Sequence, residues 1–81
     1  MKAYAIYWLK DKNPTFFADE TARKACYQAV RVLNDLGFVV QFKDLRVKRA
    51  FEHDDIAGLV DSPKSINYLV SEKVSESTAA R

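Results

Sequence analysis

Ala22, Cys26, Ala29, Val30, Leu33 and Leu36 recur at steps of three and four, so a helix gathers them on one face. Arg23, Lys24, Tyr27, Gln28, Arg31 and Asn34 then fall on the other face. The spacing predicts a helix over Asp19 to Gly37. Asp19 is its expected N-cap, Glu20 meets the positive end of the helix dipole, and Gly37 closes it in the left-handed conformation. At 1.5 Å rise per residue such a helix is roughly 27 Å long, enough to cross a sheet. Its apolar stripe needs a second layer to bury it, so the rest of the chain must supply that sheet.

The flanking segments read as strands. Lys2 to Lys10 is aromatic and β-branched, with Ala3, Ala5, Tyr7 and Leu9 on one face and Tyr4, Ile6 and Trp8 on the other. Asp11 to Ala18 is predicted as a loop, because the Asn13-Pro14 pair disfavours helix, and Phe16 and Phe17 become a lid or a hydrophobic anchor. Phe38 to Lys43 follows Gly37 as an apolar run and is predicted to be a second strand, joined to the first by a right-handed crossover that makes the two parallel.

Leu45 to Phe51 alternates Leu45, Val47 and Phe51 with Arg46 and Lys48 and reads as a third strand, or as a continuation of the second. His53 to Asp61 reads as a short helix with an acidic start, ended by Ser62-Pro63. Ser65 to Val70 is expected to form a last strand, with a helix running to Val74 as the alternative. Residues 1–70 are expected to form a single α/β domain, and 71–81 a frayed tail.

The resulting order is β-α-β-β-α-β, which resembles the ferredoxin-like fold and places this chain in the α+β class with helices on one face of the sheet. If Leu45 to Phe51 is not separate, the order is β-α-β-α-β and resembles the thioredoxin outline. With 81 residues the chain forms one core of near-minimal size, which makes self-association an expectation worth carrying.

Several function classes are poorly served by these residues. A thiol redox enzyme needs a cysteine at the start of the first helix, and Cys26, the single cysteine, lies about two turns inside it on the apolar face. His53 is the single histidine and has no second histidine or cysteine at ligand spacing, so no metal or cofactor is expected. With Gly37 and Gly58 the only glycines, there is no phosphate-cradling loop. The string Ile56-Ala57-Gly58-Leu59-Val60-Asp61 resembles the LAGLIDADG motif of homing endonucleases. That motif delivers a catalytic acid two residues after its aspartate, where this chain has Pro63. A non-enzymatic protein is expected.

No run is long enough for the ~20 apolar residues of a membrane helix, no signal-peptide pattern is present, and a lone cysteine suits a reducing compartment, so a cytoplasmic location is expected. Net charge is +2, too mild by itself to imply nucleic acid.

Two binding surfaces follow. Tyr4, Trp8, Phe16 and Phe17 are the candidate anchors for a protein partner or a second copy. Lys43, Arg46, Lys48 and Arg49 form a basic stripe able to hold phosphates. With Tyr4 and Trp8 on the first strand and Lys48-Arg49-Ala50-Phe51 on the third, the outline is similar to that of RNA-recognition motifs. That resemblance implies single-stranded RNA stacked on an open sheet face, although the third-strand segment has one aromatic and no glycine.

Overall fold

The computed structural model of the chain describes residues 1–9 and 12–72. Its centre is a hairpin that begins the chain. β1 (Lys2–Trp8) pairs antiparallel with β2 (Thr15–Asp19), with Tyr4 opposite Phe17 and Ala5 opposite Phe16. α1 (Ala22–Asp35) follows, then a 3-10 turn at Phe42–Asp44, and β3 (Leu45–Arg49), which pairs antiparallel with the other side of β1. A second 3-10 turn (Phe51–His53) leads into the one-turn α2 (Asp54–Ala57), and β4 (Lys64–Ser65) adds to β2. Residues 67–72 are helical. The fold is a small α+β structure around a four-stranded antiparallel sheet of order β3-β1-β2-β4.

Neither the β-α-β-β-α-β nor the β-α-β-α-β order is what forms. The predicted strand at Phe38 to Lys43 is absent, and the predicted loop at Asp11 to Ala18 contains β2. The reason lies in where apolar surface goes. Phe17 and Ala18 are buried on opposite faces of β2 and Phe16 packs beside Ala18, so this strand fills the place next to β1. The apolar residues after Gly37 cover the helix end instead: Phe38 meets Trp8 edge-to-face at 5.1 Å and Phe42 meets Tyr27 at 4.5 Å. A crossover does run through α1, but it leaves from β2. Both β2 and β3 are antiparallel to β1, so the connection joins two parallel strands with β1 between them.

Helices cover both faces of the sheet, not one. Ala25, Cys26 and Ala29 of α1 lie on Tyr4, Ile6 and Phe17, while Ile56, Ala57, Ile66 and Val70 lie on Ala3, Ala5 and Ala18. Small residues on α1 and on the opposite face of β1 bring each helix close to the strands. The expected last strand shrinks to Lys64–Ser65. Ile66 is fully buried, with its N–H donating to the Phe16 carbonyl at 2.9 Å, and the chain then turns helical, as the alternative reading had it. Of the frayed tail expected over 71–81, residues 71 and 72 continue the helix, and 73–81, with Val74 among them, lie outside the described residues.

The ends of α1 show which local signals were obeyed. The cap is Thr21, whose Oγ1 accepts from the Lys24 N–H at 3.2 Å. Asp19, the expected cap, instead ends β2 as a buried carboxylate accepting from the Glu20 N–H at 2.7 Å and from Gln28 Nε2 at 3.1 Å. Gly37 closes the helix at φ 96°, with its N–H donating to the Asn34 carbonyl and the Phe38 N–H to the Leu33 carbonyl, both at 3.0 Å. That is the Schellman arrangement, which needs a residue free to adopt positive φ.

Candidate protein-binding surfaces

Of the four aromatic candidates, two are core. Tyr4 and Phe17 face each other across β1 and β2 beneath α1 and are 6% and 2% exposed. Phe16 lies on the opposite face, half-buried, with the His53 ring edge-on at 4.8 Å. Trp8 remains near the surface. Its ring forms one wall of an apolar cleft of about 250 Å3 under the C-terminal half of α1, lined also by Ile6, Thr15, Val32, Leu33 and Leu36.

Leu36 on the cleft lining begins a run of chain whose side chains folding leaves in water. Leu36 is 68% exposed, and Val39, three residues on, is 90% exposed. Phe38, in contact with Trp8, is about half exposed. None of these was singled out from the sequence, because Leu36 reads as part of the apolar stripe and Phe38 and Val39 as strand. The signal available was the stripe's length: its last apolar residue, Leu36, is the C-cap, one residue past the end of α1.

The basic candidates separate by register. Side chains of paired residues in an antiparallel ladder share a face, so Tyr4 and Arg49, Ile6 and Val47, and Trp8 and Leu45 lie on the α1 side. Arg46 pairs with Tyr7 and Lys48 with Ala5 on the other side. The expected platform of Tyr4 and Trp8 beside Arg46 and Lys48 is therefore not assembled, because the aromatics and these two cations lie on opposite faces of the sheet. Lys43, Arg46 and Lys48 are exposed and have no ion-pair partner among the described residues.

Arg49 is committed to the fold. Its guanidinium donates from Nη1 to Asp54 Oδ1 at 2.6 Å and from Nη2 to Asp54 Oδ2 at 2.8 Å, with a further bond to the Ala3 carbonyl at 3.1 Å. It also lies 4.4 Å from the centre of the Phe51 ring and 5.3 Å from that of Tyr4. Asp54 accepts in addition from the Ala3 N–H at 2.9 Å. The Ala50 carbonyl, which would have taken that proton in a continued ladder, accepts from the His53 N–H instead. The Arg49 hydrogen bonds, then the Ala3 N–H, hold the Asp54 carboxyl well below the usual range, at about 2.

Cys26 is buried under α1, and burial pushes its thiol pKa up, away from a reactive thiolate. Among the described residues no three His, Cys, Asp or Glu side chains cluster in a way that could hold a metal ion, and no helix is long and apolar enough to cross a membrane.

β3 has a neighbour on one side only. It ends the sheet order, and among the described residues its outer edge is unpaired. Phe42 precedes the strand, Val47 lies in its middle and Phe51 follows it, 41%, 37% and 70% exposed.

Set against known proteins, the chain matches no family model, no curated protein and no solved structure.

Proposed function

We propose that this chain is a small non-enzymatic binding protein that docks on a partner protein, with the cleft beside Trp8 receiving an apolar side chain of that partner. The observation that carries the reading is the cleft, with exposed Leu36 on its lining, half-exposed Phe38 against Trp8, and exposed Val39 next to Phe38 in the chain. Its volume of about 250 Å3 falls below the ~300–1,000 Å3 of ordinary small-molecule sites. It suits one inserted apolar side chain, ringed by a surface that loses water on contact, which is the anatomy of an interface hot spot. Trp8 keeps the part expected of it as an anchor. Leu36 and Val39 replace Tyr4 and Phe17, which the core already uses. A single cysteine, free and buried, suits a cytoplasmic protein in a reducing compartment.

Leu36→Asp and Val39→Asp test this without touching the core, since both positions are exposed. A partner recovered with the unaltered protein and identified should be lost with each variant, while the melting temperature stays within a degree or so. Equal recovery of that partner by both variants overturns the reading.

A second reading has one observation in its favour: Lys43, Arg46 and Lys48 are exposed and have no ion-pair partner among the described residues. Phosphate binding through them would fall steeply with salt. No retention of single-stranded RNA at low salt, or retention unchanged after all three are replaced by alanine, removes it.

A further inference from the structure

We infer that the outer edge of β3 takes up an extended, acid-bearing segment of a partner protein as an added antiparallel strand. This shares with the reading above only that the ligand is a protein; it concerns another surface and is tested separately.

The parity of the β1–β3 ladder sets what the edge offers. The Leu9 N–H donates to the Asp44 carbonyl and the Ala50 N–H to the Ala3 carbonyl, both at 3.0 Å. Hydrogen-bonded and non-hydrogen-bonded pairs alternate along an antiparallel ladder. Arg46 and Lys48, in step with these two bonds, therefore spend their backbone groups on β1. Leu45, Val47 and Arg49 turn theirs outward. The Leu45 N–H is taken by the Phe42 carbonyl, which leaves the N–H and C=O of Val47 and of Arg49 as outward donors and acceptors without a strand partner among the described residues.

An incoming strand that bonds to Val47 places its two flanking residues opposite Arg46 and Lys48 in non-hydrogen-bonded pairs. Those are the pairs in which side chains approach most closely, with Cα atoms about 4.5 Å apart. Glutamate or aspartate at both positions would meet the two exposed cations. An apolar residue between them would lie beside Val47 on the α1 face.

A second copy of this chain fits poorly, because antiparallel self-pairing about Val47 sets Arg46 of one copy against Lys48 of the other. Like charges directly opposite are destabilising. The same two cations that discourage self-pairing select an acidic partner.

The test uses the full chain, isotopically labelled, and three probes: a short peptide alternating glutamate with valine, its lysine–valine counterpart, and single-stranded oligothymidylate. The glutamate–valine peptide should shift the Val47 and Arg49 amides saturably and slow their exchange with solvent. Methylation of the peptide nitrogens that face β3 should abolish this. Replacing Arg46 and Lys48 together with alanine should weaken the affinity about tenfold, two surface ion pairs at their usual worth. Leu36→Asp should leave it unchanged, which separates this edge from the cleft. Equal binding of the lysine–valine peptide, preferential binding of the oligothymidylate, or no protection of Val47 and Arg49 by the acidic peptide overturns the inference.

Discussion

Asp54 closes the end of β1, and removing its charge shows how much that closure is worth. Its folded pKa of about 2 lies roughly two units below the ~3.9 of an unfolded aspartate, and each unit corresponds to 1.36 kcal/mol, giving an upper bound of about 2.6 kcal/mol. The Asp54 side chain is 36% exposed, so water screens the pair with Arg49 and about 1–2 kcal/mol is the expected share.

The folded pKa is depressed, so this stability is present above pH ~4 and is lost as pH falls from ~4 toward ~2. In Asp54→Asn the charge is absent at every pH. Urea denaturation of the two proteins across pH 7 to 2 should therefore show a gap of about 1–2 kcal/mol at neutrality that narrows below pH ~4 and nearly closes near pH ~2. A gap of the same size at both ends, or no gap at neutrality, refutes the assignment of that pKa to the Arg49 and Ala3 bonds.

Three further substitutions probe the architecture by urea or thermal denaturation. Phe17→Ala empties a site under α1 that is 2% exposed and should cost about 3–5 kcal/mol; a cost below about 1 kcal/mol would mean that Phe17 is not core. Gly37→Ala meets no atom within 4 Å, so its cost is conformational alone and should be about 1 kcal/mol; no loss would contradict the positive φ. Leu9 has φ 54° and is 60% exposed, so Leu9→Gly should stabilise the protein by a few tenths to about 1 kcal/mol. Destabilisation by Leu9→Gly would show that the leucine side chain contributes packing that outweighs its strain.

How much of this was readable in the letters depended on which residues answer to one demand at a time. α1 and its Gly37 terminus were legible because the period of three and four and the left-handed cap are local properties, β1 because its aromatic and β-branched residues mark a strand whichever face is buried, and β3 because Leu45 and Val47 alternate with Arg46 and Lys48 in sequence. β2 was hidden. Asn13-Pro14 marks a turn correctly, but the strand after it is buried on both sides, so Phe16, Phe17 and Ala18 show no polar alternation to give it away. The Thr-Phe-Phe run directly after Pro14, short, aromatic and β-branched, was the signal that could have found it.

Phe38 to Lys43 fails for the converse reason. Its apolar residues are spent on Trp8 and Tyr27 at the end of α1, a tertiary use no pattern announces. Missing β2 also decided the reading of the site. Once a hairpin partner and a helix cover the Tyr4 face, Tyr4 and Phe17 become core, and the exposed apolar surface moves to Leu36, Phe38 and Val39. The exposure of Arg46 and Lys48 was legible from alternation. The commitment of Arg49 was not, because it depends on Asp54 being folded back beside it.

The position of β3 at the edge of the sheet, with β1 on one side and no strand on the other among the described residues, carries both the architecture and the docking surface drawn from it. Backbone amide exchange in the free 81-residue chain tests it residue by residue. The account predicts slow exchange at Arg46 and Lys48 and fast exchange at Val47 and Arg49, an alternation that only a one-sided antiparallel ladder in this register produces. Uniform protection along 45–49, or the opposite alternation, would contradict it.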